Sequence, residues 1–197
     1  MIEKINVYDS DLDTDHLKKI ILKNESKIIE KYLPTTWDNS ELFDGATGLG
    51  FKSLTSRSCH YNLLEWRGTK KLREAIKKYY QKYTSDTDEI YVQCWANVMR
   101  YGEQIKAHVH SDEASTKIYK KVSGNLFVCG DNTNTYYLNN PVENKSGRLV
   151  LFRSSIPHHT DAYLGDSERI SIGFDIRTKF AWNTDILDEY KHHWIKL

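Results

Sequence analysis

Apolar residues return along this chain with two different periods, and the change falls near residue 89. Ahead of it, Leu17, Ile20, Ile21, Ile28 and Ile29 recur at helical spacing. Asp13 or Thr14 is placed to cap that helix, which is predicted to run to about Tyr32 and stop before Pro34. A second helix is predicted from Thr69 to about Tyr83. Leu72, Ile76, Tyr79 and Tyr83 make its apolar stripe, and lysines fill the opposite face. Lys4 to Tyr8 alternates as a short strand, and residues 34–68, interrupted by Gly45, Gly48 and Gly50, read as loops with short strands. From Glu89 onward the period falls to two. The runs IYVQCWANVMRY, GNLFVC, TNTYYL, RLVLF and RISIGFDI are short, rich in β-branched and aromatic residues, and separated by Gly, Asn, Asp and Pro. A short closing helix is predicted over about Asp185 to Trp194. The whole predicts a mainly β protein of the α+β class, a sandwich or barrel preceded by helices that pack on one face.

Composition narrows this picture without redirecting it. A chain of 197 residues is expected to form a single domain: residues 1–88 a helical and loop extension, 89–178 the β core, 179–197 a tail. With 28 basic and 27 acidic side chains the net charge is +1, so no long-range field recruits nucleic acid. Cys59, Cys94 and Cys129 are odd in number and far apart, which argues against a disulfide framework or a zinc–thiolate site. No stretch reads as a secretory signal or a membrane span, and a cytoplasmic location is expected. The oligomeric state is left open.

Three short segments carry chemistry. In Ala107-His108-Val109-His110-Ser111-Asp112, alternate side chains of an extended chain share a face, so His108 and His110 can point together, as a divalent metal ion requires. In Ile156-Pro157-His158-His159-Thr160, which follows an apolar strand, adjacent residues face opposite ways and one histidine can join them. In Arg169-Ile170-Ser171 the two polar side chains share a face on an otherwise apolar strand. An inward arginine is costly unless it meets an anion, and its fork of donors fits a carboxylate bidentately. Singly, each has a plain structural alternative: a surface histidine pair, a polar turn, an ion pair of Arg169 with Glu168 or Asp175.

Occurring together and in this order, they resemble the iron(II)- and 2-oxoglutarate-dependent oxygenases of the double-stranded β-helix (jelly-roll) fold. That family carries His-x-Asp, a distal His, and then Arg-x-Ser. The lead-in from Tyr101-Gly102 to His108, the stretch Gly147 to Phe152, and Glu168 to Ile172 are similar to the family's pattern. The resemblance covers about residues 91–177 and looks nearest to a compact group from phages and marine bacteria that shows His-x-His.

The resemblance implies Fe(II), 2-oxoglutarate and O2, with ascorbate as an accessory reductant. It implies hydroxylation of an amino acid, peptide or other small molecule with release of succinate and CO2. No catalytic side chain is expected beyond the metal centre. Two ligand frames stay open: His108, His110 and His158, favoured by spacing from Gly102, or His110, Asp112 and His158, favoured by ligand chemistry. In the first frame Asp112 would orient a histidine. Arg169 and Ser171 would bind the far carboxylate of 2-oxoglutarate. Lys117, Tyr119, Lys120 and Lys121 fall in a candidate lid, and Trp37, Trp66, Trp95 and Tyr101 are candidates for pocket or core. Two alternatives remain: a cupin-like metal enzyme that does not use 2-oxoglutarate, and a catalytically silent binding module of the same fold.

Overall fold

The computed structural model describes residues 5–34, 47–85, 87–111, 121–130, 132–186 and 191–197. Asp112, Trp37, Lys117, Tyr119 and Lys120 lie outside the described residues.

Strand β1 (Asn6–Asp9) leads into helix α1 (Thr14–Lys31). The Asp13 carboxylate accepts from the His16 backbone N–H (3.0 Å), satisfying one of the helix's unpaired donors. Leu17 and Ile21 are the fully buried members of its apolar set. Two 3-10 turns, Thr55–Arg57 and Leu63–Glu65, carry the chain to α2 (Lys70–Thr84). There Leu72, Ile76, Tyr79 and Tyr83 are buried as the period requires, joined by Tyr80. The helix ends where Ser85 takes a left-handed conformation at φ 58°.

Eight further strands follow: β2 (Ile90–Met99), β3 (Val122–Cys129), β4 (Asn134–Tyr137), β5 (Asn140–Glu143), β6 (Arg148–Arg153), β7 (His158–Thr160), β8 (Arg169–Thr178) and β9 (Ile195–Lys196). Among the described residues they form an antiparallel six-stranded sheet, β1-β6-β3-β8-β2-β9, and a three-stranded sheet, β5-β4-β7. This is the mainly β core with flanking helices that the pattern predicts, in the jelly-roll form that the resemblance implies. In the tail a helix, α3 (Lys179–Asp185), begins directly after β8, with the Thr178 side chain accepting from the Ala181 N–H, and β9 closes the chain on the edge of β2. The centre of the helix expected over about Asp185 to Trp194, residues 187–190, lies outside the described residues.

The large sheet has one apolar face and one face of mixed character. Ile170, Ile172, Phe174 and Ile176 of β8 join Val92, Cys94, Ala96 and Val98 of β2, and Leu149 and Leu151 of β6, in one core with α1 and α2. Each such Leu or Ile contributes about 1.5–3 kcal/mol on burial, so this face anchors the helices to the sheet. Because successive strand residues alternate, the register fixes what the other face carries. Across β2, β8 and β3 the rows read Gln93, Asp175 and Ser123; Trp95, Gly173 and Asn125; Asn97, Ser171 and Phe127.

Candidate metal centre and anion pocket

The inward face of the large sheet and the three-stranded sheet enclose a cavity of about 530 Å³, within the range of small-molecule sites. His108, His110 and His158 meet on its wall. His108 does not sit in a regular strand. It makes a single antiparallel bridge to His158, with backbone hydrogen bonds in both directions (3.2 and 3.1 Å), which lays it alongside β7. His110 is tied by its N–H to the Ser154 carbonyl (2.8 Å), so His108 and His110 face inward while Val109, 48% exposed, faces out. The lead-in turn requires Gly102, whose φ is 83°.

The hydrogen bonds of the three rings determine which nitrogen each presents. His108 Nδ1 stands 2.8 Å from the Lys106 carbonyl and His158 Nδ1 3.2 Å from that of Ile156. A carbonyl only accepts, so both Nδ1 atoms carry the proton and both Nε2 atoms carry a bare lone pair. His110 Nδ1 lies 2.7 Å from Asp175 Oδ1 and adopts the same tautomer. One ligand atom from each histidine lies within 4.8 Å of the others, and the Nε2 atoms of His108 and His110 are 3.2 Å apart. Lone pairs aimed at each other across that distance repel unless a cation lies between them. Burial and the neighbouring His110 push His108 down to about 4, and burial with both neighbours pushes His158 well below its ordinary range. Both imidazoles are therefore neutral at physiological pH, the form that binds metal. The donor set fits a borderline divalent ion such as Fe(II).

His159, adjacent to His158, turns to the opposite face of β7 and stacks on Tyr136 at 4.9 Å. Asp112, the other proposed partner of His110, is outside the described residues.

Arg169 is 2% exposed, and burial pulls it down to about 10, still a cation at neutral pH. Its partners are neutral. Nε donates to Thr133 Oγ1 (3.2 Å), Nη2 to Thr135 Oγ1 (2.9 Å), and Nη1 to the Met99 sulfur. With its amide turned so that the oxygen faces the guanidinium, Asn144 accepts from Nη2 (2.6 Å) and Nε (3.0 Å). Neither Glu168 nor Asp175 pairs with it. Glu168 engages Lys18, and Asp175 engages His110 and Arg177. Among the described residues, this buried cation has no carboxylate partner. Ser171 follows on the same face, accepting from Asn97 Nδ2 (3.3 Å), and both line the cavity with the histidines. The arrangement fits a ligand that carries a carboxylate at one end and reaches the histidines at the other.

Several contributors escaped the sequence reading. Asp175 has the same strand parity as Arg169 and Ser171, and extending that alternation by two steps would have found it. Trp194 and His193 reach the cavity from the tail, Thr135 from β4, and no local pattern signals any of them. Of the aromatic candidates Trp95 lines the cavity, Trp66 stacks on Tyr61 (5.4 Å) in the core, and Tyr101 is 71% exposed. Lys121 is buried at the entrance to β3.

No protein-family model matches this chain, and no curated protein does. Solved structures do. The viral collagen prolyl hydroxylase of Paramecium bursaria Chlorella virus 1, in its 2-oxoglutarate complex, superposes with a TM-score of 0.59 at 12% identity, covering 90% of this chain and 97% of that one. A Trichoplax adhaerens prolyl hydroxylase, in complex with a hypoxia-inducible-factor oxygen degradation domain peptide fragment, gives 0.55 at 13% identity, covering 94% and 89%. HygX of Streptomyces hygroscopicus, with iron bound, gives 0.53 at 9% identity, covering 90% and 83%. The chain has the fold of 2-oxoglutarate–iron(II) oxygenases.

Proposed function

We propose that this chain is an Fe(II)- and 2-oxoglutarate-dependent dioxygenase that hydroxylates a peptide, amino acid or other small molecule. The observation that carries the reading is a coincidence in one cavity: three imidazoles with convergent Nε2 atoms, and a buried arginine whose described partners are all uncharged. In this reading His108, His110 and His158 hold the iron, and Arg169 with Ser171 holds the far carboxylate of 2-oxoglutarate. When bound, the two supply the oxidising chemistry, in which O2 is consumed, 2-oxoglutarate becomes succinate and CO2, and one oxygen atom enters a substrate C–H bond. The chain's residues orient and shield. The Lys106 and Ile156 carbonyls fix the tautomers of His108 and His158, so the metal-facing nitrogens need no proton removed before loading. Thr133, Thr135 and Asn144 hold the guanidinium plane in place, so the anion meets a preorganised fork. Trp95, held over Gly173 beside His110, walls the side on which a substrate approaches. The similarity to proteins that act on prolyl residues supports a peptide as one substrate class.

Anaerobic addition of Fe(II) and 2-oxoglutarate tests the reading, through the weak visible charge-transfer band of the chelate. A band that appears with both, and succinate formed once O2 is admitted, is the expected result. A chain that binds iron but gives neither band nor 2-oxoglutarate binding supports the second reading, a cupin-like metal enzyme without this co-substrate. The carboxylate-free donor set favours that alternative; the uncompensated Arg169 speaks against it.

A further inference from the structure

The three histidines of the cluster are not braced alike. Behind His108 and His158 stand backbone carbonyls, which are neutral. Behind His110 stands a carboxylate, Asp175, at 2.7 Å. A carboxylate accepting from the far side of an imidazole makes the ring a stronger, more anionic donor than a carbonyl does, and it fixes ring orientation as well. Asp175 is itself held in place. Ser123 donates to the same oxygen, Oδ1 (2.5 Å), and its own oxygen can accept from the Ser154 hydroxyl (2.8 Å). Arg177 lies 3.6 Å from Oδ2 and donates to Ser154 Oγ (3.3 Å). The side chains of Asp175 and Arg177 are 15% and 5% exposed, so little solvent competes with these contacts. Burying such a group is expensive, and among the described residues its contact with the histidine cluster is His110.

Accepting the metal centre proposed above, we infer that Asp175 is a positioning residue for the metal, delivering through His110 a negative charge that a donor set of three histidines by itself lacks. Iron held by two histidines and a carboxylate has its anion in direct contact. Here the anion stands one imidazole further out, on the far side of the His110 ring. The consequence is electronic as well as steric. Asp175 strengthens Fe(II) binding and, more strongly, stabilises Fe(III), lowering the potential of the bound ion.

Asp175→Asn keeps the shape and removes the charge. The test is anaerobic Fe(II) equilibrium dialysis, with the midpoint potential of the bound ion, on the full chain and the variant. Expected are an Fe(II) affinity about 10–100-fold weaker and a more positive potential, with the circular dichroism of the folded chain retained. The same substitution on a His110→Ala background should cost no further affinity, because Asp175 acts through that ring. Unchanged affinity and potential in Asp175→Asn, or a loss that simply adds to that of His110→Ala, overturns the inference. Should Asp175→Asn fail to fold, Ser123→Ala carries the test. It loses a hydroxyl donor to Asp175 Oδ1 and should shift the potential and weaken iron binding by a smaller factor; a wild-type potential there overturns the inference. If the wild-type chain binds no Fe(II), the metal reading fails first, an outcome distinct from an iron-binding wild type matched by its variant.

Discussion

Arg169 and Asp175 project from the same inward face of β8, and their surroundings are opposite. Arg169 is a buried cation among hydroxyls, an amide and a thioether, and its charge is unbalanced by any described residue. Asp175 is a buried anion between Arg177, Ser123 and His110, and it is held below the usual carboxylate range despite burial, chiefly by His110 and Arg177. The contrast separates two uses of buried charge. A charge that the protein balances itself braces something already present; one left unbalanced is kept for a ligand that brings the opposite sign. Between them Gly173 leaves room for Trp95, whose ring atoms would lie 2.8–3.0 Å from a Cβ at that position.

Breaking either end should therefore give different losses. The largest effect is expected for His158→Ala, which removes the proposed ligand on the edge strand β7. Fe(II) or Co(II) should raise the melting temperature of the wild-type chain, as any ligand specific to the folded state does, and should leave that of His158→Ala unmoved in differential scanning fluorimetry. Next comes Arg169→Met, for which 2-oxoglutarate affinity should fall on the order of 100-fold or more, since an anion would be left unpaired in a buried site. Iron affinity should stay near wild type. Its melting temperature should hold or rise, because an unpaired buried cation has been removed. Asp175→Asn should lower the melting temperature, because Arg177 loses its counter-ion, and that pair of opposite shifts is the sharpest check on the comparison. A smaller change is expected for Ser171→Ala. One hydrogen bond to a carboxylate is worth about 1.5–3 kcal/mol, so 2-oxoglutarate titration should show a loss of roughly 10–150-fold at most. Smallest of all, His159→Ala should leave the chelate band and iron affinity within about twofold of wild type, since its ring faces Tyr136 on the outer side of β7. A large loss there would mean that the other histidine of the pair is the one that matters.

Much of this was legible in the chain. The stripe of Leu72, Ile76, Tyr79 and Tyr83 specifies α2 because a 3.6-residue period leaves one face to bury. The alternation of Arg169, Ile170, Ser171 and Ile172 specifies an inward polar face because strand side chains alternate. His108 and His110 share a side for the same reason. Local periodicity, however, ends with the element that carries it. That His108 bridges His158, and that Asp175 reaches His110 across 65 residues, follow from strand pairing between distant segments, which no local pattern encodes. The end of the chain shows the same limit. The Thr178 cap places α3 directly after β8, and pairing of Ile195 with Val92 makes the end of the chain a strand. The sequence by itself determined the element types, the inward parity of each polar residue and the chemical kind of the donors. Tertiary structure alone decided which donors meet, which nitrogen each imidazole presents, and that Arg169 finds no described carboxylate while Asp175 finds His110, Ser123 and Arg177. Those outcomes depend on distances between segments far apart in the chain, and only the packed sheets fix them.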